Sequence, residues 1–174
     1  VPSRYPIGDW HPVGLQCEDA AFVTQDGVRL HGWYCPVPHP RCVFLMAHGN
    51  AGNITHRADR ITSWQRLLNV SVFVFDYRGY GRSAGRPNEP GVYQDARAAY
   101  RWLTTDKGIA PDDVVFFGES LGTAVMLQLA LAFDAIPEPL AVALVAVAMV
   151  FAQAAAVLRQ RHGVLTRAGH PTRF

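Results

Sequence analysis

Three short apolar runs decide what this chain can become: CVFLMA (42–47), SVFVFD (71–76) and DVVFFG (113–118). Each is nearly continuous in hydrophobic residues, which suits a strand buried on both faces rather than one with a wet side. Between and after them lie segments with helical periodicity. RADRITSWQRLL (57–68) reads as an amphipathic helix. PGVYQDARAAYRWL (90–103) repeats Val92, Ala96, Ala99, Tyr100 and Leu103 at helical spacing, with Pro90 suited to a first helical position. LGTAVMLQLALAF (121–133) is apolar nearly all round, as in a buried helix. Ahead of these, AAFVT (20–24) and VRLHGWY (28–34) flank Asp26-Gly27, a hairpin signal. A hairpin followed by strand–helix–strand–helix–strand–helix predicts an α/β fold with a mostly parallel, doubly wound sheet.

A length of 174 residues is about one domain and enough for a hydrophobic core. The net charge of +2 gives no electrostatic footprint for nucleic acid. Cys17, Cys35 and Cys42 show no metal-type spacing and read as ordinary thiols, as in a reducing, cytoplasmic setting. The first residues lack the apolar core of a signal peptide, and the chain opens on Val1 rather than Met, which leaves room for an upstream anchor.

Each buried run ends at a loop with chemical content. Gly118-Glu119-Ser120-Leu121-Gly122 matches G-x-S-x-G between a strand and an apolar helix. A serine on so sharp a turn projects its hydroxyl above the sheet, and crowding requires small residues two before and two after it. The next N–H, of Leu121, would face a developing oxyanion at a helix N-terminus. HGNAGN (48–53) follows the first buried run, where a glycine-rich loop can offer backbone N–H groups to a negative oxygen. DYRGYGRS (76–83) follows the second. Its GYGRSA (79–84) imitates a dinucleotide fingerprint, but no helix opens there, so it reads as a rigid loop bordering the site. His56 and Asp59 are too few for a metal site and read as a solvated helix face.

With these three motifs in order, residues 18 to about 131 resemble the α/β-hydrolase superfamily, in its serine esterase, thioesterase and serine-aminopeptidase-like branch. The resemblance implies Ser120 as nucleophile, the N–H groups of Leu121 and Asn50 as oxyanion hole, and residues 76–83 as framework. It also implies a small acyl-containing substrate, an acyl-enzyme, and no metal or other cofactor.

The same resemblance expects a triad acid and histidine further on. After Ser120 the carboxylates are Asp134 and Glu138, at the end of a helix that carries the chain about 20 Å from the serine. The late histidines, His162 and His170, have no local context that marks either as a base. Residues 1–138 therefore read as the N-terminal part of a hydrolase domain, and 139–174 as an atypical Ala/Val/Arg-rich tail with four arginines and no acid. Its apolar run 140–158 has three readings: a sixth strand leading into a helix, a membrane span, or a frame-shifted segment. The functional alternative to an active hydrolase is a truncated, catalytically inactive one.

Overall fold

The computed structural model describes Ser3 and residues 12–132. Five strands form one sheet: β1 (Glu18–Val23), β2 (Arg29–Cys35), β3 (Val43–Ala47), β4 (Ser71–Asp76) and β5 (Val114–Gly118). Three α-helices accompany them: α1 (Ala58–Leu68), α2 (Glu89–Arg101) and α3 (Leu121–Ala132). A 3-10 turn, Ile54–Arg57, precedes α1, and a π-type turn, Trp102–Asp106, extends α2. The strand order is β1-β2-β4-β3-β5. The pairs β1/β2 and β2/β4 are antiparallel, whereas β4/β3 and β3/β5 are parallel. This is the predicted α/β sheet with its antiparallel hairpin at one edge.

The two faces of the sheet sort the side chains by strand alternation. Leu45, Phe73 and Phe75 point towards α2 and α3, where they join Val92, Ala99, Leu103, Val125 and Met126. Phe44, Met46, Val72 and Val74 point the other way, onto Trp33, Ile54 and Ile61. All six residues of β4 are buried, as a strand covered on both faces requires. Helix α3 departs from the expectation of burial all round. Val125, Met126 and Leu129 are buried, but Leu127 and Leu131 are exposed at 43% and 67% among the described residues. The expectations for residues 133–174, including the boundary at 138 and the three readings of 140–158, lie outside the described residues. Among those described, no helix is long and apolar enough to cross a membrane.

The hairpin turn forms where Asp26-Gly27 predicts it. Gly27 takes φ +80°, and its N–H donates to the Thr24 carbonyl at 3.0 Å. The turn fixes the register, Glu18 opposite Tyr34, so Cys17 stands opposite Cys35 one residue further out. These two cysteines form a disulfide. That corrects the reading of three ordinary thiols: Cys42 is the free one. The pairing follows from strand register, which a separation of 18 residues does not advertise. A reducing compartment no longer follows, since it rested on three thiols. Closing a loop of this size stabilises the fold by about 3 kcal/mol in the chain-entropy picture.

A buried ion-pair group ties the hairpin to the rest. Arg78, just past β4, donates from Nε to Asp95 Oδ1 of α2 at 2.9 Å and from its backbone N–H to Asp95 Oδ2 at 2.8 Å. Its Nη1 and Nη2 reach the two carboxylate oxygens of Asp26 at 2.8 and 3.1 Å. That guanidinium holds the exposed Asp26 carboxyl down at about 2. Gly91 makes room for the arginine: a Cβ there would lie 2.5 Å from Arg78 Cδ. Because Asp95 is fully buried, removing it strands a charge that the fold has already desolvated. Asp95→Ala is expected to lower unfolding free energy by about 3 kcal/mol, read from urea denaturation; a loss under about 1 kcal/mol would mean that Asp26 alone satisfies Arg78.

Candidate active site

The site grows from one pairing. In the parallel β3/β5 ladder Ala47 stands beside Gly118, so the loops that leave both strands emerge together at the C-terminal edge. One is 48–53 and the other opens α3. The two touch: a Cβ on Gly49 would lie 3.4 Å from the Glu119 carbonyl oxygen and 3.5 Å from Ser120 Cβ.

Ser120 has φ +53°, in the left-handed region that a residue with a Cβ rarely enters. The turn around it is closed by backbone bonds from Gly122 N–H to the Glu119 carbonyl at 2.9 Å and from Thr123 N–H to the Ser120 carbonyl at 3.0 Å. Glu119 N–H donates to the Ala47 carbonyl at 3.0 Å, and Thr123 Oγ1 donates to the Gly118 carbonyl at 3.1 Å. The glycines of the motif are steric necessities. A Cβ on Gly118 would lie 2.4 Å from Thr123 Cα, and one on Gly122 would lie 1.9 Å from the Ala47 carbonyl oxygen. Ser120 is exposed, and Leu121 is the first residue of α3. Its N–H is therefore among the first-turn donors without an intrahelical acceptor, at the positive end of the helix dipole.

The 48–53 loop is braced from beneath by the D-Y-R-G-Y-G segment. Tyr77 Oη donates to the His48 carbonyl at 2.8 Å. Tyr80 Oη donates to Asn50 Oδ1 at 2.6 Å. Both tyrosines are buried, and burial raises the pKa of each phenol, so both remain donors at neutral pH. Asn53 ends the loop by capping the 3-10 turn: its Oδ1 accepts from Thr55 N–H at 2.9 Å, and His56 Nδ1 accepts from Asn53 N–H at 3.2 Å. His56 thus serves as half of a capping box while staying exposed, as does Asp59, in keeping with the reading of a solvated face.

Asp76, at the end of β4, lies beneath the 48–53 loop and the Gly81 turn and is fully buried. Its Oδ1 accepts from Ile54 N–H at 3.0 Å and faces His48 Nε2 at 3.6 Å. Its Oδ2 faces His31 Nδ1 at 3.9 Å, and His31 Nε2 in turn meets Asp19 at 2.8 Å. Gly81, at φ +48°, lets the loop pass this carboxylate, since a Cβ there would lie 1.9 Å from Oδ2. Burial pushes the Asp76 carboxyl up, but the His31 and His48 rings and the Ile54 N–H outweigh it and hold it below its ordinary value. His48 is fully buried, with Nδ1 on the Gly49 carbonyl at 2.7 Å and the ring against Tyr77 and Tyr80. It supports the loop rather than facing Ser120.

The predicted residues Ser120, Leu121 and Asn50 are thus gathered at one edge of the sheet. Among the described residues, no histidine is hydrogen-bonded to the Ser120 hydroxyl. The other late candidates, Asp134, Glu138, His162 and His170, lie outside the described residues. Tyr77, Tyr80 and Asp76 are the contributors that sequence reasoning left as undifferentiated framework. Their signal was present in the placement of two tyrosines three apart, directly after a buried strand that ends in a carboxylate.

A mixed sheet with its antiparallel hairpin at one edge, and a serine turn between β5 and α3, define an α/β-hydrolase fold. The family model described as "Alpha/beta hydrolase family" matches residues 30–174, and the chain belongs to that family. An uncharacterised protein of Mycobacterium tuberculosis is 42% identical over 131 residues, covering 74% of this chain and 46% of that protein. The α/β-hydrolase domain-containing protein WAV2 of Arabidopsis thaliana is 40% identical over 128 residues, covering 72% of this chain and 41% of that one. The chain thus spans less than half the length of either relative. Among solved structures, an esterase of Pyrococcus furiosus superposes with a TM-score of 0.59 at 22% identity, over 74% of this chain and 52% of that one, a likeness of fold. An α/β-hydrolase of Vibrio vulnificus superposes with a TM-score of 0.55 at 29% identity, over 63% of this chain and 37% of that one.

The depressed Asp76 carboxyl has a consequence for acid stability. A carboxyl with a folded pKa below its unfolded value of about 3.9 binds fewer protons in the folded state. Its stabilisation is present above pH about 4 and is lost as pH falls through the lower folded value. Urea midpoints measured from pH about 4 downwards, below the range in which Asp95, raised to about 6 by burial, takes up its proton, should therefore fall with acid in the wild type and fall less steeply in Asp76→Asn. Asp26 titrates in the same window, so the slope shrinks without vanishing. Equal slopes in the two proteins would contradict the assignment.

Proposed function

We propose that the chain is the nucleophile-bearing part of a serine hydrolase that cleaves an ester, thioester or amide bond through an acyl-enzyme on Ser120. The observation that carries this reading is the exposed Ser120 at φ +53°, on a turn that opens α3 beside the 48–53 loop. In the proposed reaction Ser120 Oγ attacks the acyl carbon while its proton passes to a base. The carbonyl oxygen becomes an oxyanion, which accepts from the N–H groups of Leu121 and Asn50. Collapse expels the alcohol, thiol or amine, which takes up the proton, and water then releases the acid. Each oxyanion donor is worth about 10²–10³ in rate where it has been removed from other serine enzymes. The substrate class that this chemistry takes is a small acyl compound.

A second reading, of an inactive hydrolase-like domain, is favoured by one fact: among the described residues no histidine is bonded to Ser120 to act as its base. A turn and an oxyanion hole without a base leave activity about 10³–10⁴ above water, far below a complete triad. A fluorophosphonate probe separates the readings on the whole chain. Labelling that disappears in Ser120→Ala is the expected result. A folded sample that takes no label would overturn the proposal in favour of the inactive domain.

A further inference from the structure

Arg57 ends the 3-10 turn that follows the 48–53 loop, and its side chain is only 12% exposed. It folds back towards the serine turn instead of outwards from α1. Its Nη2 donates to the Ala51 carbonyl at 3.3 Å, and its Nε lies 3.1 Å from Glu119 Oε2. A Cβ on Gly49 would lie 3.9 Å from the same Nη2 and 3.5 Å from Ser120 Cβ, so guanidinium, loop and nucleophile turn converge within one neighbourhood. Arg60, one turn along α1, adds a second contact to Glu119 Oε2 at 2.9 Å, but its side chain is 44% exposed and it reaches no part of the loop.

Backbone contacts tie the serine turn to the start of the 48–53 loop, through the Glu119 N–H on the Ala47 carbonyl, and leave the outer part of that loop without a backbone bond to the turn. The 48–53 loop is fixed by Tyr77, Tyr80 and Asp76 from the β4 side, and the serine turn is fixed by Ala47 and Gly118. None of those bonds sets the distance between the two segments at their outer ends. Arg57 links them, because one planar, always charged group donates to a carbonyl of the first segment and lies in ion-pair contact with the carboxylate beside Ser120 in the second, although its Nε is not aligned for a hydrogen bond there.

We propose that Arg57 is a positioning residue that clamps the loop after β3 to the nucleophile turn, and so fixes the separation of the Asn50 and Leu121 N–H groups. Its catalytic part rests on the serine-hydrolase reading above. The clamp itself does not, and the two can fail separately.

The test uses the whole chain with Arg57→Gln and Arg57→Lys. Hydrogen exchange read on peptides covering 49–53 and 119–122 should accelerate in both segments in Arg57→Gln, by about tenfold for the loss of one partly buried ion pair with its carbonyl contact. Exchange in β4 and α2 should stay at the wild-type rate. Acceleration in one segment alone, or in neither, would overturn the clamp. Fluorophosphonate labelling should slow by about tenfold in Arg57→Gln, as misplacement of an oxyanion donor predicts, at an unchanged urea midpoint. Arg57→Lys keeps a charge for Glu119 but has no fork to hold Ala51 as well, so it should fall between. A lysine variant with wild-type exchange and labelling would show that charge alone suffices and would sink the two-point clamp. If the wild type takes no label, the serine-hydrolase reading fails, and exchange alone decides the clamp.

Discussion

The candidate site depends on how tightly helix α3 begins against the end of strand β3. Gly122 sits so near the Ala47 carbonyl that no side chain fits between them, and Gly118 sits as near to Thr123. This approach does more than permit a tight turn. With β5 ending and α3 starting in so few residues, Ser120 is left to absorb the change of direction, and it does so in the left-handed region. The strain of holding a residue with a Cβ there is of order 1–3 kcal/mol, and it persists only because the surrounding bonds over-determine it. The bonds of Glu119 and Thr123 to Ala47 and Gly118 supply that over-determination.

A second layer of polar contacts depends on that geometry. With the β3 and β5 loops as neighbours, the loop after β4 braces the β3 loop from the side away from the serine turn. Asp76 holds the 3-10 turn by Ile54 N–H, Tyr77 holds the His48 carbonyl, and Tyr80 holds Asn50. A carboxylate buried among two histidines and a backbone donor would be a liability if any partner were missing, because its desolvation is already incurred. At Asp76 the Ile54 N–H and the two facing rings, at 3.6 and 3.9 Å, hold the carboxyl below its ordinary value despite that burial. The same logic operates at Arg78, where a guanidinium with little exposure is shared between a hairpin turn and a helix.

Much of this was legible in the sequence, for identifiable reasons. Continuous apolar runs mark β3, β4 and β5 because a strand covered on both faces has no wet side to alternate with. The Asp26-Gly27 turn announces the hairpin because few other dipeptides accept its backbone. Gly118, Ser120 and Gly122 announce the elbow because only small residues survive its crowding. What stayed hidden depends on register and on side chains that act at a distance in sequence. The pairing of Cys17 with Cys35 becomes visible only when Glu18 is known to face Tyr34. The roles of Tyr77, Tyr80 and Arg57 require knowing that three loops meet. Helix α3 misled because its composition gives no polar face, although Leu127 and Leu131 stand outside the core that the described residues form.

The hairpin disulfide has a mechanical side. Cys17 precedes β1 and Cys35 closes β2, so tension entering along the chain from residue 16 passes straight across the sulfur bridge and bypasses both strands. The first seam it can open is the antiparallel β2/β4 ladder, at the Cys35–Val72 end, where hydrogen bonds break in succession. The parallel seams that carry the serine turn lie behind it, on the far side of β4. A pull on that end of the chain would therefore reach the sheet at β2 rather than β1, on the side of β4 remote from Ser120.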